Sequence, residues 1–250
     1  ILNPAYRAIH AVNPRAKVAG GVTAPRASTG GVSPVAWIRG MRTAGARLDV
    51  YAHHPYPSSN GETPFGGGCD HCSTITMATL ERLLSEVGRA FGPKRIWLTE
   101  YGYQTGSYGV SQQRQAELIG QSGLRAYKAL RVDMLIHYLV KDEPVAARFQ
   151  SGLFDSADRP KLAALAFPLP IAQAGRSGGK LVLWGQVRPR NGVQSFRIQV
   201  RTGGVWRFSG GFRKTGARGF FSAAVPAVRG TAVRIFSPQD NAYSAALVAR

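Results

Sequence analysis

The residue in this sequence best suited to chemistry is a carboxylate, Glu100, which closely follows an apolar run. The run Ile96-Trp97-Leu98 is short and rich in β-forming residues, which predicts a buried strand rather than a helix. A carboxylate at the mouth of such a strand loses hydration, which is unfavourable unless partners stabilise the charge or a reaction uses it. Two interpretations are open: Glu100 is a structural acid paired with an arginine such as Arg95, or it is a catalytic group.

Polar and aromatic side chains follow three successive apolar runs and suggest that Glu100 is not isolated. Carboxyl ends of parallel strands meet at one edge of a sheet, and a TIM-type barrel builds its catalytic face from such side chains. Either His53 or His54 could instead be a core residue, and we favour His54 for the site because it leads an H-x-Y motif. The residues at these positions are His53, His54 and Tyr56, then Glu100, Tyr101 and Tyr103, then Tyr138, whereas the neighbouring His137 is expected to face the barrel core rather than the site.

The elements that must position these residues alternate between strand and helix patterns. Such alternation predicts an α/β fold with a parallel sheet whose faces are covered. No Gly-rich phosphate loop of the GxGxxG or Walker type is present, which disfavours a nucleotide-binding fold. The predicted strands lie within 16–25, 48–57, 95–103 and 132–140, and the predicted helices within 4–12, 33–45, 76–92, 110–130 and 159–167.

The pattern changes after Pro168-Leu-Pro170. Short alternating apolar runs broken by Gly, Asn and Pro predict an all-β sandwich over residues 179–250. Residues 169–178, which include most of the segment AQAGRSGG (172–179), are predicted to be a linker, and residues 1–168 are predicted to form the first domain. The aromatic residues of the sandwich are either exposed or part of its core, and we favour the core for Trp184, Trp206 and Phe220.

The net charge of +19 is concentrated in the predicted sandwich. Residues 171–250 hold thirteen Lys and Arg against one acid, Asp240. This excess is either a solvated basic surface or a site for an anionic glycan or cell-wall polymer. Nucleic acid is disfavoured as a partner because no DNA- or RNA-binding motif accompanies the charge. No apolar stretch is long enough to predict a membrane span.

The two cysteines, Cys69 and Cys72, lie in a Gly-rich segment as CDHC. A zinc site needs two further ligands, and only His71 is close in sequence, so we expect no metal. A thioredoxin-like motif would open a helix, and this segment predicts loop on both sides. The favoured interpretation is a disulfide that tightens the loop in an oxidising compartment, which predicts a secreted protein.

Four segments together resemble the second half of a clan A glycoside hydrolase barrel, nearest to cellulase-like and family 39-like enzymes. The resemblance covers residues 1–168 and implies a partial (β/α)8 TIM-type barrel, strands five to eight. It implies that Glu100 is the nucleophile, that His54 and Tyr56 lie beside it, and that no metal or organic cofactor is used. The segments are AYRAIHAVNPRAKVAGGV, LDVYAHHPYP, KRIWLTEYGYQT and FQSGLFDSADRPKLAALAF.

The chemistry of a retaining glycosidase agrees with these residue types. Two carboxyls about 5 to 5.5 Å apart are needed, one to attack the anomeric carbon and one to protonate the leaving oxygen. Tyr56, with His54 or Tyr101, could donate hydrogen bonds that keep the nucleophile ionised. Tyr103 and Tyr138 are expected either to stack against sugar rings of a polysaccharide or oligosaccharide or to be packing residues.

The sequence also departs from the family pattern. The Asn-Glu pair that carries the acid/base residue after strand four is absent, so that residue is expected upstream of Ile1 in a longer enzyme. Tyr138 stands where strand eight commonly carries a Trp. Asp142 and Glu143 are predicted to form salt bridges in the last loop rather than a catalytic pair. The alternative function is a non-catalytic protein that binds a carbohydrate or cell-wall polymer.

Overall fold

The computed structural model of the protein describes residues 1–69, 71–146, 148–188 and 190–250. These residues form two compact units. The first unit contains residues 1–103 and 125–138, and the second contains residues 104–124 and 139–250. No helix among the described residues combines the length and the apolar character needed to cross a membrane.

The first unit is built on a parallel four-stranded sheet, which confirms the predicted alternation. Its strands are β1 (Ala19–Thr23), β2 (Val50–His53), β3 (Arg95–Tyr101) and β4 (Val132–His137), hydrogen-bonded in the order β1-β2-β3-β4. Helix α1 (Leu2–Val12) precedes β1, α2 (Pro34–Thr43) connects β1 to β2, and α3 (Leu80–Phe91), which follows a 3-10 turn at Met77–Thr79, connects β2 to β3. Helix α4 (Gln112–Lys128) lies between β3 and β4 in the chain, and its residues up to 124 belong to the second unit.

Serine side chains cap the first turn of two of these helices. Ser33 precedes α2, and its hydroxyl accepts a hydrogen bond from the backbone N–H of Ala36 at 3.3 Å. Ser111 precedes α4 and accepts from the N–H of Arg114 at 3.2 Å. Each cap satisfies a backbone donor that the first helical turn leaves unpaired, which stabilises a helix by about 1 kcal/mol.

The parallel sheet is open at both edges within the described residues, because β1 pairs only with β2 and β4 pairs only with β3. Met134 and Ile136 of β4 are 37% and 43% exposed. The sequence predicts a sheet with both faces covered, so β4 differs from that expectation. Its apolar side chains are exposed because no further described strand or helix covers them.

The second unit contains a two-layer antiparallel sandwich, as predicted. A short helix, α5 (Leu162–Ala166), precedes the strands β5 (Ile171–Ser177), β6 (Lys180–Gln186), β7 (Ser195–Thr202), β8 (Val205–Phe208), β9 (Arg213–Lys214), β10 (Phe220–Val225), β11 (Ala232–Ser237), β12 (Ala242–Tyr243) and β13 (Leu247–Val248). One sheet has the strand order β10-β6-β5, and the other has the order β12-β11-β7-β8, with β13 paired to β11 and β9 paired to β7. Residues of both sheets share one core, in which the rings of Phe196 and Phe221 stack at 4.0 Å.

Residues 169–178, which the sequence predicts to be a linker, belong to the sandwich instead. They contain β5, which pairs antiparallel with β6 and buries Ile171. Gly178 and Gly179 both have positive φ, 53° and 74°, and join the two strands in a two-residue hairpin turn. Only glycine adopts such angles readily, so the glycines that look like a flexible linker form a tight turn.

Acidic residues of the last loop form ion pairs, as predicted. Asp142 lies 3.0 Å from Lys161, and both side chains are almost inaccessible, while Glu143 lies 3.6 Å from Arg148. Burial lowers the pKa of Lys161, and the charge of Asp142 opposes that effect. The Asp142–Lys161 pair therefore holds two loop segments together rather than supplying a reactive acid.

Candidate active site

The side chains predicted to converge come from the carboxyl ends of three adjacent parallel strands. Strand β2 ends at His53 and leads into His54 and Tyr56, while β3 carries Glu100 near its end. The hydroxyl of Tyr56 donates a hydrogen bond to Oε2 of Glu100 at 3.1 Å. Nδ1 of His54 lies 3.4 Å from the same oxygen. The H-x-Y motif and the carboxylate thus form one cluster.

Glu100 has no arginine partner in the described part of the chain. Arg95, which the structural interpretation requires, forms its ion pair with Asp133. Both contacts made by Glu100 fall on Oε2, its side chain is 34% exposed, and no described residue hydrogen-bonds to Oε1. The carboxylate of Glu100 is therefore held through one oxygen, and its side chain remains partly accessible.

A β-bulge in β3 gives Glu100 this accessibility. Leu98 pairs with Leu135 and Tyr101 pairs with His137, so β3 has one residue more than β4 in this interval. Strict alternation would place Glu100 in the buried series that begins with Ile96 and Leu98. Because of the extra residue, Tyr101 occupies the buried position instead of Glu100, and Tyr101 is 3% exposed. Bulges commonly redirect a side chain beside an active site in this way.

The protonation states of the two partners follow from burial. Burial, followed by the nearby charge of Glu100, raises the pKa of Tyr56, so its hydroxyl remains a donor at physiological pH. Burial lowers the pKa of His54 and outweighs the opposing effect of Glu100. His54 is therefore neutral at neutral pH, and its contact with Glu100 is not a salt bridge under those conditions.

The other predicted tyrosines divide into buried and accessible rings. Tyr138 is half-buried and packs edge-on against Tyr56, with 6.5 Å between ring centroids. Tyr101 and Tyr103 are each 3% exposed. The Tyr103 hydroxyl donates to the carbonyl of Glu62 at 2.9 Å. Tyr101 and Tyr103 therefore pack within the first unit with little accessible ring surface, whereas the ring of Tyr138 is partly accessible.

His53 is a core residue, which leaves His54 as the histidine of the cluster. It is fully buried, with Nδ1 at 2.8 Å from Oγ1 of Thr23 and Nε2 at 3.0 Å from the carbonyl of Ile75. Thr23 reaches this position because β1 contains a bulge after Gly21. Gly21 has a φ of 97°, and a Cβ atom there would lie 2.5 Å from the ring of Tyr51, so no other residue fits without rearrangement.

Burial lowers the pKa of His53 from 6.5 to about 4, which predicts a pH-dependent stability. At pH values between about 4 and 6.5, His53 binds a proton in the unfolded chain and is neutral in the folded protein. The free energy of unfolding should therefore fall as pH decreases from 6.5 to 4, by up to roughly 3 kcal/mol. Urea unfolding at several pH values would measure this loss. His53→Asn should flatten it, whereas the exposed-site variant His71→Asn should not, and equal slopes for all three proteins would contradict the prediction.

One buried carboxylate of the first unit, Glu62, is not predicted from the sequence. It is 2% exposed, its Oε2 accepts from the N–H of Ser58 at 2.8 Å, and its carbonyl accepts from Tyr103. Its surroundings in sequence, SSNGETPFGGG, resemble an ordinary polar loop and carry no signal of burial. Glu62 shapes the loop that follows β2 and thereby supports Tyr103.

The predicted disulfide is confirmed. Cys69 and Cys72 are bonded, with 5.5 Å between their Cα atoms, in the segment that connects β2 to α3. The bond closes a short loop in the same connection that carries His54 and Tyr56. It therefore constrains the segment from which two members of the cluster come.

Comparisons with known proteins support the fold. No protein-family model matches the sequence, and no curated protein matches it. A family 39 glycoside hydrolase from Bacteroides cellulosilyticus WH2 is similar in structure, with a TM-score of 0.53 and 18% identity over 90% of this chain and 52% of the other. A glucosidase from Croceicoccus marinus matches with a TM-score of 0.51 and 12% identity over 92% of this chain and 61% of the other.

The chain therefore spans between half and two thirds of the length of these structures. At such low identity the similarity concerns the fold alone. It shows an α/β unit with a parallel sheet and a set of antiparallel sheets, as in TIM-barrel glycoside hydrolases that carry a C-terminal sandwich domain. One of these two structures belongs to family 39, and the sequence motifs described above resemble enzymes of that family.

Proposed function

We propose that this chain belongs to a retaining glycoside hydrolase in which Glu100 is the nucleophile. The observation that carries the proposal is the asymmetric environment of Glu100, in which Tyr56 and His54 contact Oε2 and no described residue hydrogen-bonds to Oε1. A nucleophilic carboxylate needs one oxygen held in place and one free to attack. The cluster lies at the carboxyl ends of parallel strands, where barrel enzymes place their catalytic groups.

The chemistry would proceed in two displacements. Oε1 of Glu100 attacks the anomeric carbon, the bond to the leaving oxygen breaks, and a covalent glycosyl–enzyme forms. Water then attacks the same carbon and releases the carboxylate of Glu100. The Tyr56 hydroxyl, which stays protonated because its pKa is raised, donates to Oε2 throughout and keeps the carboxylate oriented. The net configuration at the anomeric carbon is retained.

A second carboxyl must protonate the leaving oxygen and then activate the water. We place it outside the described chain, on a preceding segment that would also extend the parallel sheet. Three observations support this placement: the sheet has open edges, Met134 and Ile136 of β4 are exposed, and the sequence contains no Asn-Glu pair. The matched structures are also considerably longer than this chain.

The substrate class that we propose is a β-linked polysaccharide or oligosaccharide. Tyr138, half-buried beside Tyr56, is the platform that we assign to a sugar ring, because apolar sugar faces pack well on flat aromatic rings. We also propose that the protein is secreted. The Cys69–Cys72 disulfide supports this location, since such bonds persist in oxidising compartments.

Covalent labelling tests the proposal directly. The complete natural protein would be incubated with a panel of mechanism-based β-glycoside inhibitors, and the labelled peptide would be identified by mass. We expect the sugar on the peptide that contains Glu100, no label in Glu100→Gln, and normal label in Glu143→Gln as a matched control. A protein that cleaves β-glycosides but is labelled elsewhere would refute the assignment. If neither label nor hydrolysis occurs, the non-catalytic binding function is the better one.

A further inference from the structure

The outer face of the larger sandwich sheet carries alternating arginine and aromatic side chains. Its inward neighbours, such as Ile198 and Ile235, belong to the sandwich core, so the intervening residues project away from that core. In register, Arg201 lies opposite Trp206, and Phe236 lies opposite Tyr243. We call this surface the arginine–aromatic face, and define it by Arg197, Arg201, Trp206, Phe208, Arg234 and Tyr243.

The arginines of this face are stacked on its rings. The guanidinium carbon of Arg234 lies 4.3 Å from the ring centroid of Trp206 and 4.0 Å from that of Tyr243. The guanidinium carbon of Arg197 lies 3.5 Å from the centroid of Phe208. Such stacking holds the cations in fixed orientations at little cost in hydration. The face therefore presents preorganised positive charge beside flat apolar surface.

The face is partly exposed, and its positive charge is not balanced by acidic residues in the same part of the chain. Phe208 is 40% exposed, and the neighbouring Phe212 is 63% exposed. The one acid in residues 171–250, Asp240, pairs with Arg190. Among the described residues Arg197, Arg201 and Arg234 form no ion pair. Their positive charge therefore remains available to an anionic ligand.

We propose that the arginine–aromatic face binds an acidic polysaccharide. Apolar faces of the sugar rings would pack on Trp206 and Phe208, and the carboxylates would pair with Arg201 and Arg234. This inference concerns a second surface and does not depend on catalysis by Glu100. The ligand class follows from two observations together, namely the net charge of +12 in residues 171–250 and the presence on one face of the exposed ring of Phe208 and the half-buried rings of Trp206 and Tyr243.

Strand spacing favours a sugar chain over a nucleic-acid strand. Neighbouring strands lie about 4.8 Å apart, close to the length of one sugar unit and shorter than the step between nucleotides in an extended strand. A polysaccharide that crosses the strands would therefore meet a ring or a guanidinium on each of β8, β7, β11 and β12. Single-stranded nucleic acid also uses aromatic and basic residues, so it is included as an outcome of the test.

Binding by the full chain would be measured calorimetrically against polygalacturonate, its methyl ester and single-stranded DNA. The ester keeps the sugar chain and removes the charge, so we expect at least about tenfold weaker binding than for the acid. Trp206→Ala and Arg201→Ala should each weaken binding of the acid about tenfold. Arg229→Ala removes an exposed charge outside the face and should change affinity less than about twofold.

The outcomes separate the alternatives. Absence of binding to polygalacturonate at low salt would overturn the proposal, because the face would then hold no such site. Equal losses of affinity in Arg201→Ala and Arg229→Ala would also overturn it, because they would indicate unspecific attraction to the net charge. Tighter binding of DNA that depends equally on Trp206 would make the face a nucleic-acid surface. If Trp206→Ala does not fold, Trp206→Phe and Arg201→Ala carry the test, with retained binding expected for the first and loss for the second.

Discussion

Replacement of Glu100 by glutamine is expected to lower kcat/KM on an activated β-glycoside by about 10⁴-fold or more in the complete natural protein. The amide has nearly the shape of the carboxylate, so Tyr56 and His54 keep a partner of similar size. It cannot attack the anomeric carbon, and no covalent intermediate forms. Initial rates on an aryl β-glycoside with a good leaving group would measure the loss.

A second variant separates loss of the nucleophile from general damage. Glu100→Gly removes the side chain and leaves room for a small anion, so added azide should restore part of the rate and yield a glycosyl azide of inverted configuration. The inversion is expected because only one displacement then occurs. The control variant Glu143→Gln changes an acid that pairs with Arg148 rather than with Tyr56 or His54, and it should retain most of the activity. Full activity of Glu100→Gln would exclude the nucleophile role.

Tyr56→Phe is expected to lower kcat by about 10²-fold, with a much smaller change in KM. The variant removes only the hydroxyl that donates to Oε2 of Glu100 and leaves the ring that packs against Tyr138. Without that hydrogen bond the carboxylate is free to rotate away from the line of attack. Because the lost contact is with the nucleophile rather than with the sugar, substrate affinity should be largely preserved. Steady-state kinetics at saturating and limiting substrate would distinguish these parameters.

Tyr51→Phe is the matched control for this prediction. It removes a buried hydroxyl from the same region of the sheet, and that hydroxyl bonds to Thr23 at 3.0 Å rather than to Glu100. We expect Tyr51→Phe to lower the melting temperature without a large change in kcat. A loss of kcat that is equal in the two variants would mean that Tyr56 acts through packing, and the role assigned to its hydroxyl would be wrong.

The order and type of the main elements could be predicted because their signals are local. Ser33 and Ser111 cap helices, apolar residues repeat at helical or strand spacing, and turn residues separate them. The linker prediction at 169–178 failed for the opposite reason. A Gly-Gly pair in a polar stretch has the same composition in a linker and in a hairpin, and only the pairing of β5 with β6 decides between them.

The candidate site shows the same division. The sequence by itself predicts the residue types of Glu100, His54 and Tyr56 and their positions near the ends of successive strands. It can do so because the motifs and the apolar runs that mark strand ends are local features of the chain. Whether a ring is accessible depends on what packs against it from distant segments. Tyr103 is buried because its hydroxyl meets the carbonyl of Glu62, 41 residues away. Sequence spacing carries no information on such a contact.

Two further choices belong to the tertiary structure alone. Both histidines of the pair follow the same apolar run, yet His53 fits between Thr23 and Ile75 while His54 reaches Glu100. The extra residue in β3 that exposes Glu100 appears only when β3 is aligned with β4. The sequence by itself determined the chemistry that is available and the strands that carry it. The tertiary structure decided which of those groups meet, because burial and register are properties of packed segments and not of any one segment.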